Sequence, residues 1–262
     1  MNGFVEPTRP DHSALTGAAE RAKALRERYS QLESESLLRV MLEMEYKGRI
    51  ALVSSFGAEA VILLDMVARI DPATPILFID TGKLFHETLT YRDVVVRQLG
   101  LMDVRTLKPT SFDITSHDPD GKIWQRNPNL CCYLRKVLPL ERALSGFDAW
   151  ITGRKRAQGG ERTELRNIEA VDGRICFNPL AHWSEEDVEN AFQFLNLPRH
   201  PLFNDGYNSI GCAPCTAPSS PDTEARAGRW LGSTKSECGI HQARWSPSRL
   251  KKNPHTKFPS SL

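Results

Sequence analysis

The chain has 262 residues, 40% of them hydrophobic and 25% charged, which is the make-up of an ordinary globular protein with one sizeable domain and additions, or two small domains. Its 34 Lys and Arg nearly balance 32 Asp and Glu for a net charge of +2, which argues against a dedicated nucleic-acid binder while leaving room for local basic clusters that hold a small anion. The longest apolar run, residues 60–68, is broken by Asp65 and is far too short to span a bilayer, and the first residues lack a secretory signal, so a cytoplasmic protein is expected.

In chain order, residues 13–46 read as helical, rich in good helix formers and charges with no Gly or Pro after Gly17, and predict a helical leader over residues 1–45. An alternation follows. A β-rich run at 49–55 leads through a glycine turn into a helical pattern at 59–70, and a second short strand is expected at 75–80. The stretch 86–100 predicts a helix ending on Gly100, and 102–107 a third strand. A helix interrupted by Pro139 is expected over 131–144, then strands at 148–153 and 175–180. Ser184 is placed to cap a helix through a capping box with Asp187. Strands alternating with helices predict an α/β core, mainly parallel and flanked by helices, over residues 46–197. From about residue 198, Pro, Gly, Ser and basic residues predict a loop-rich extension over 198–262, with an exposed tail at 246–262.

Six cysteines in a reducing compartment are not expected to form structural disulfides. Cys131-Cys132 opens a helical segment, and Cys212 and Cys215 form a C-x-x-C pair far along the chain. Four thiolates can complete a zinc site or an iron–sulfur cluster. Adjacent cysteines diverge, which suits the spread ligand positions of a four-iron cluster better than one zinc ion. A redox disulfide at C-x-x-C and unrelated cysteines are the remaining alternatives. Cys176 sits in an apolar strand and reads as a small core residue. Cys238 stands alone on the polar stretch KSECGIH, either idle or a nucleophile on a mobile arm.

Two strand ends look like anion or ligand sites. Ser54, Ser55 and Gly57 sit at the first strand–helix junction, where free N–H groups and the helix dipole favour phosphate or sulfate. The second junction, 78–88, carries Asp80, Thr81, Gly82 and Leu84 at a strand's C-terminal end, where open α/β sheets bind ligands. Basic residues recur beside both cysteine pairs: Arg135 and Lys136, the stretch 152–166, and Arg226 with Arg229. As a set they suggest a polyanionic ligand held by forked guanidinium contacts.

The stretches SSFGAEA, IDTGKLFHET, CCYLRKVLPL, DAWITGRKRAQ, GCAPCT, RAGRW and ECGIH stand in the order seen in assimilatory sulfonucleotide reductases, and residues 45–241 resemble that family. The four extra cysteines resemble the branch that reduces adenylyl sulfate (APS) and carries a four-iron, four-sulfur ([4Fe-4S]) cluster. The resemblance implies an adenine-nucleotide alpha-hydrolase-like core related to ATP-pyrophosphatases. It implies that Cys131, Cys132, Cys212 and Cys215 hold the cluster, and that Ser54, Ser55 and Gly57 form the phosphosulfate loop. Asp80, Thr81, Gly82 and Leu84 would line the adenosine pocket, with Gly153 nearby. Lys136, Arg226 and Arg229 would approach the phosphosulfate, and Arg162 is matched in a stretch that departs from the family's form. Cys238 would be the nucleophile, with His241 completing the tail and Ile240 standing where Leu is commoner.

The mechanism so implied has Cys238 attack the sulfur of APS, expel AMP and form an S-sulfocysteine, which thioredoxin or glutaredoxin then cleaves to release sulfite. Lys235, His241 and the arginines would supply cations beside the thiol. The cluster would act electrostatically. No nucleic-acid or membrane partner is expected, and the oligomeric state is open to a homo-oligomer. The rival readings are reduction of 3′-phosphoadenylyl sulfate (PAPS) or of both nucleotides, an adenylating or thiolating enzyme of the ATP-pyrophosphatase group, and a non-enzymatic zinc or iron–sulfur module.

Overall fold

The computed structural model describes residues 12–220 and 223–241. Its strands are β1 (Ile50–Ser54), β2 (Ile76–Ile79), β3 (Val104–Leu107), β4 (Ala149–Ile151), β5 (Ile168–Val171) and β6 (Arg174–Phe177). They form one six-stranded sheet in the order β3-β2-β1-β4-β6-β5, parallel throughout except for the β5–β6 pair. Every residue of β1, β2 and β4 is buried, as expected of central parallel strands covered on both faces.

The period of two sorts these side chains into two cores. Ile50, Leu52, Ile76, Phe78, Ile151 and Phe177 join the larger one. It is built with helices α1 (His12–Arg28), α2 (Ser34–Val40), α3 (Ala60–Ile70), α4 (His86–Leu99) and, further along, Glu185–Leu195. Ala51, Val53, Leu77, Ile79, Trp150 and Cys176 face the other way, against Leu140, Leu144 and Ile240. Cys176 is fully buried, the small core residue expected.

The leader differs from one uninterrupted helix. α1 ends at Arg28, Ser34 takes a left-handed φ of 45°, and α2 runs on into a wide π-turn, Met41–Glu45. The fold-back is held by Tyr29, whose hydroxyl donates to Glu45 Oε1 at 2.6 Å, and by Trp183, whose indole donates to Ser34 Oγ at 2.8 Å. Ala22, Leu25, Leu37 and Leu38 enter the main core through it. α1 also covers the edge strand β5, with Arg26 donating to the Ile168 carbonyl at 2.7 Å.

β5 was not among the expected strands. It returns through Asp172 and Gly173, at φ 48° and 78°, into the antiparallel register Val171↔Arg174. Asp-Gly is the two-residue hairpin signal, since both positions must take positive φ. Two expected ends hold. Gly100 closes α4 in the left-handed conformation, and Ser184 with Asp187 forms the capping box.

After β3 come α5 (Ser111–His117), α6 (Ile123–Arg126) and α7 (Pro128–Cys132), then a π-turn, Tyr133–Val137, and α8 (Leu138–Leu144). Pro139 does not interrupt this path. It sits in the first turn of α8, where its missing N–H has no partner to lose, and the π-turn before it, closed from Leu138 N–H to Tyr133 O, relieves the clash. α9 (Glu185–Leu195) completes the helices named here. Among the described residues from 198 to 241 the chain is loop, with short 3₁₀ turns at Pro201–Phe203 and Ala213–Cys215. The expected exposed tail, 246–262, lies outside the described residues, as do residues 1–11 of the leader.

Candidate active site

β2 and β4 leave β1 on opposite sides, so the sheet changes direction there, and a crevice opens at the strands' C-terminal ends. The cavity in that crevice holds about 220 Å³. Ser54, Ser55 and Gly57 line its floor, just before α3; Thr81 and Leu84 come from the end of β2, Gly153 from the end of β4, and Lys136 from the π-turn. The extension brings Arg226 and Arg229, the loop between β4 and β5 brings Arg162, and the last described residues bring Cys238 and His241. Two expected residues do not line it. Asp80 turns its carboxylate to the Gly82 N–H, at 2.9 Å, and to Lys108, at 3.5 Å, so both belong to the turn that presents Thr81.

The extension is registered on the sheet by backbone. A bridge pairs Leu84 with Cys212, and Ala213 N–H donates to Lys83 O at 2.8 Å. A second bridge pairs Thr216 with Arg229, and Trp230 N–H donates to Cys215 O at 3.1 Å. The Arg229 guanidinium then lies over Trp230, 4.6 Å from the ring centroid, and fills the space where a Cβ on Gly211 would fall 2.2 Å from one of its nitrogens. Arg229 Nε is buried with no protein partner.

Behind the cavity the two cysteine pairs meet. Cys131, Cys132 and Cys212 are buried, Cys215 is half-buried, and all are free thiols. They lie near enough to act on one another's ionisation. Burial, with the neighbouring Cys132, Cys212 and Cys215, pushes the Cys131 thiol up to about 12, and burial pushes Cys132 up to about 11. Burial also opposes ionisation of Cys212, but the Lys136 ammonium, Thr81 and Arg229 outweigh it and bring that thiol below its usual value. Thr81 Oγ1 lies 3.2 Å from Cys212 Sγ. Burial opposes the Lys136 charge in turn, and the thiols of Cys212, Cys132 and Cys238 hold it well above the ordinary range. Among the described residues no three His, Cys, Asp or Glu side chains close round one metal ion. An all-sulfur set of mostly buried thiols beside half-buried cations is the donor chemistry of a soft metal centre, zinc or iron–sulfur, rather than of a hard ion.

Arg135, beside Lys136 in sequence, is placed elsewhere. It pairs with buried Asp118 at 2.5 Å and donates to the Thr81 carbonyl at 2.9 Å, which braces the turn.

The arm, 235–241, is docked. Cys238 is half-buried at the cavity, Ile240 packs in the smaller core, and the His241 ring stacks on Trp150 at 4.9 Å and 8°. His241 does not supply a cation, contrary to expectation. Burial, with Arg154, Arg162 and Arg226 nearby, holds its pKa well below the usual value, so the ring is neutral. Lys235 donates to Asn129 Oδ1 at 2.6 Å, next to the first cysteine pair. Three cavity residues escaped the sequence reading, Glu59, Gln158 and Glu237, while Arg154 comes from the basic stretch 152–166. Glu59 and Glu237 stood inside quoted motifs, but a carboxylate is no obvious ligand for an anion.

Residues 49–218 match the phosphoadenosine phosphosulfate reductase domain family. The chain belongs to that family. An adenosine 5'-phosphosulfate reductase of Mesorhizobium japonicum is 44% identical over 240 residues, 91% of this chain and 94% of the relative. Adenosine 5'-phosphosulfate reductase 2 of Bacillus subtilis is 39% identical over 201 residues, 75% of this chain and 85% of the relative. The crystal structure of the phosphoadenylyl-sulfate (PAPS) reductase of Candida auris, in a phosphate complex, shares the fold at TM-score 0.63 and 23% identity, covering 82% of this chain and all of that one. In this chain the crevice brings the β1 loop, Lys136, Arg229 and Cys238 onto one surface.

Proposed function

We propose that the chain reduces adenylyl sulfate to sulfite and AMP in sulfate assimilation, with Cys238 as nucleophile. The observation that carries this reading is that Cys238 opens onto the same cavity as Ser54, Ser55, Lys136 and Arg229. The names of the relatives at 44% and 39% identity support the choice of nucleotide. The adenylyl group sits against Thr81, Leu84 and Gly153. The phosphate lies on the β1 loop, where backbone N–H groups and the start of α3 favour an anion. The Cys238 thiolate attacks the sulfonate sulfur, the S–S bond forms, and the S–O bond breaks with its electron pair leaving on AMP. Lys136 and Arg229 offset the repulsion between thiolate and sulfonate and hold the departing phosphate.

The resulting S-sulfocysteine is cleaved by a thioredoxin or glutaredoxin thiolate that attacks Cys238 Sγ. Sulfite leaves with the electron pair, and the donor's second thiol resolves the mixed disulfide, so the dithiol supplies both electrons. Cys131, Cys132, Cys212 and Cys215 would hold a four-iron, four-sulfur cluster in this reading, supported by an all-sulfur set of which three thiols are buried and Cys215 half-buried. Such a cluster would tie the two cysteine segments together and, with net negative charge from its four thiolates, would give the Lys136 ammonium an anionic neighbour. Six free thiols and helices that are all too short or polar to cross a membrane, among the described residues, accord with work in the cytoplasm.

Intact-protein mass after anaerobic mixing with adenylyl sulfate, with no dithiol present, tests the scheme. The expected result is a gain of about 80 Da on Cys238 that thioredoxin removes. A gain only with the 3′-phosphorylated nucleotide moves the substrate. No gain with either nucleotide, from iron-replete protein, ends the nucleophile assignment.

A further inference from the structure

Glu237, the residue before Cys238, places a carboxylate beside a cavity built for anions. It is one of the least exposed carboxylates of the extension, with 12% of its side chain accessible. Arg162 grips it as a fork, Nε to Oε1 at 2.5 Å and a terminal nitrogen to Oε2 at 3.0 Å. Arg226 adds a contact to Oε2 at 3.3 Å and donates to the Ser236 carbonyl at 2.8 Å. Ser236 Oγ donates to Glu161 at 3.0 Å, from the same short turn as Arg162.

The remaining edge of Arg162 is also committed. Its other terminal nitrogen bonds Gln158 Oε1, and the Gln158 amide lies 3.5 Å from Glu59, which Lys155 pairs as well. Glu59 stands at the start of α3, two residues past Gly57. A chain of paired groups thus runs from the anion loop to the arm. Every nitrogen of the Arg162 guanidinium is spent on protein, whereas Lys136 and Arg229 keep no carboxylate partner among the described contacts.

The geometry points to Glu237 as a positioning residue: Arg162, with Arg226 beside it, docks the arm through this carboxylate and so sets Cys238 at the cavity. Arg162 then serves the arm rather than the nucleotide. A forked, charge-assisted pair fixes direction as well as distance, which a thiol needs for in-line attack on sulfur. The gap between Glu237 and Cys238 is one peptide, so rotation of the arm at Gly239, whose φ is 93°, moves the thiol only if the fork lets go.

The inference rests on Cys238 as the reacting thiol, and its test separates the two. Iron-replete Glu237→Gln, Arg162→Met and the double variant are compared with the parent for sulfite formation from adenylyl sulfate, and for alkylation of Cys238 by iodoacetamide followed by mass. Each single variant is expected to lower kcat about 10- to 100-fold with KM within about twofold, and to speed alkylation several-fold as the arm undocks. The double variant is expected to be no worse than either single one, because both remove the same contact. Effects that multiply, unchanged alkylation, or a raised KM in Arg162→Met alone would overturn it. A Cys238→Ser variant that still forms sulfite would sink the nucleophile reading instead, while the alkylation rates in the other proteins still report on docking.

Discussion

His200 shows how one side chain can carry a measurable pH dependence far from the chemistry. Its Nδ1 accepts the Leu202 N–H at 3.2 Å, so the proton is on Nε2, which donates to Thr88 Oγ1 at 3.0 Å. The ring packs on Tyr91, and burial holds its pKa down to about 4 although Glu87 pulls upward. The unfolded chain takes up this proton near pH 6.5 and the folded chain resists until about pH 4. Stability from this group is therefore whole above pH 6.5 and drains as pH falls towards 4, by about 3 kcal/mol in all. His200→Asn keeps the acceptor for Leu202, and urea titrations across pH 4–7 should show a flatter profile than the parent. A parallel profile would mean that other groups set the acid limit. Nothing in the sequence marked His200, because its role comes from α4 meeting the start of the extension.

At the scale of elements, the devices that build the site are backbone features with faint sequence marks. The π-turn at 133–137 lets α7 run into α8 despite Pro139 and aims Lys136 at the cavity, while Arg135, one residue earlier, points away into a buried pair. A helical pattern cannot foretell which of two adjacent basic residues faces the ligand, since a one-residue change in turn width rotates both. The bridge between Thr216 and Arg229 depends on Gly228, where a Cβ would lie 2.1 Å from the Ala217 carbonyl oxygen. Gly228→Ala is expected to cost roughly 1–3 kcal/mol and to displace Arg229, lowering kcat/KM. Gly17→Ala, with nothing within 4 Å, should leave activity alone and raise stability slightly. Equal denaturation midpoints for Gly228→Ala and the parent would show that the two segments can slide apart at no cost.

Across the whole molecule, three segments distant in sequence converge behind one cavity: the α7 cysteines, the 212–215 turn and the docked arm. They share the half-buried cations Lys136 and Arg229, and burial together with the neighbouring thiols keeps the Cys131 thiol neutral, so an all-protein version of this region leaves charges poorly matched. Anaerobic removal of iron is expected to lower the thermal midpoint by about 5 °C or more and to open Cys131 and Cys132 to alkylation. A midpoint that does not move would show that these thiols carry no stabilising metal.

Read from the chain alone, the α/β alternation, the glycine end of α4, the Ser184 capping box and the ordered cysteine motifs were all legible, because each depends on residues close in sequence: apolar period, capping chemistry, ligand spacing. The order of the strands, the fold-back of the leader, the neutral state of His241 and the partner of Glu237 were not. Those depend on which surfaces meet. Burial and the charges of Arg154, Arg162 and Arg226 decide the histidine, and a fork from a segment far away in sequence decides the carboxylate. Local chemistry names the groups that a protein has to use, and packing decides which of them face the ligand and which face each other.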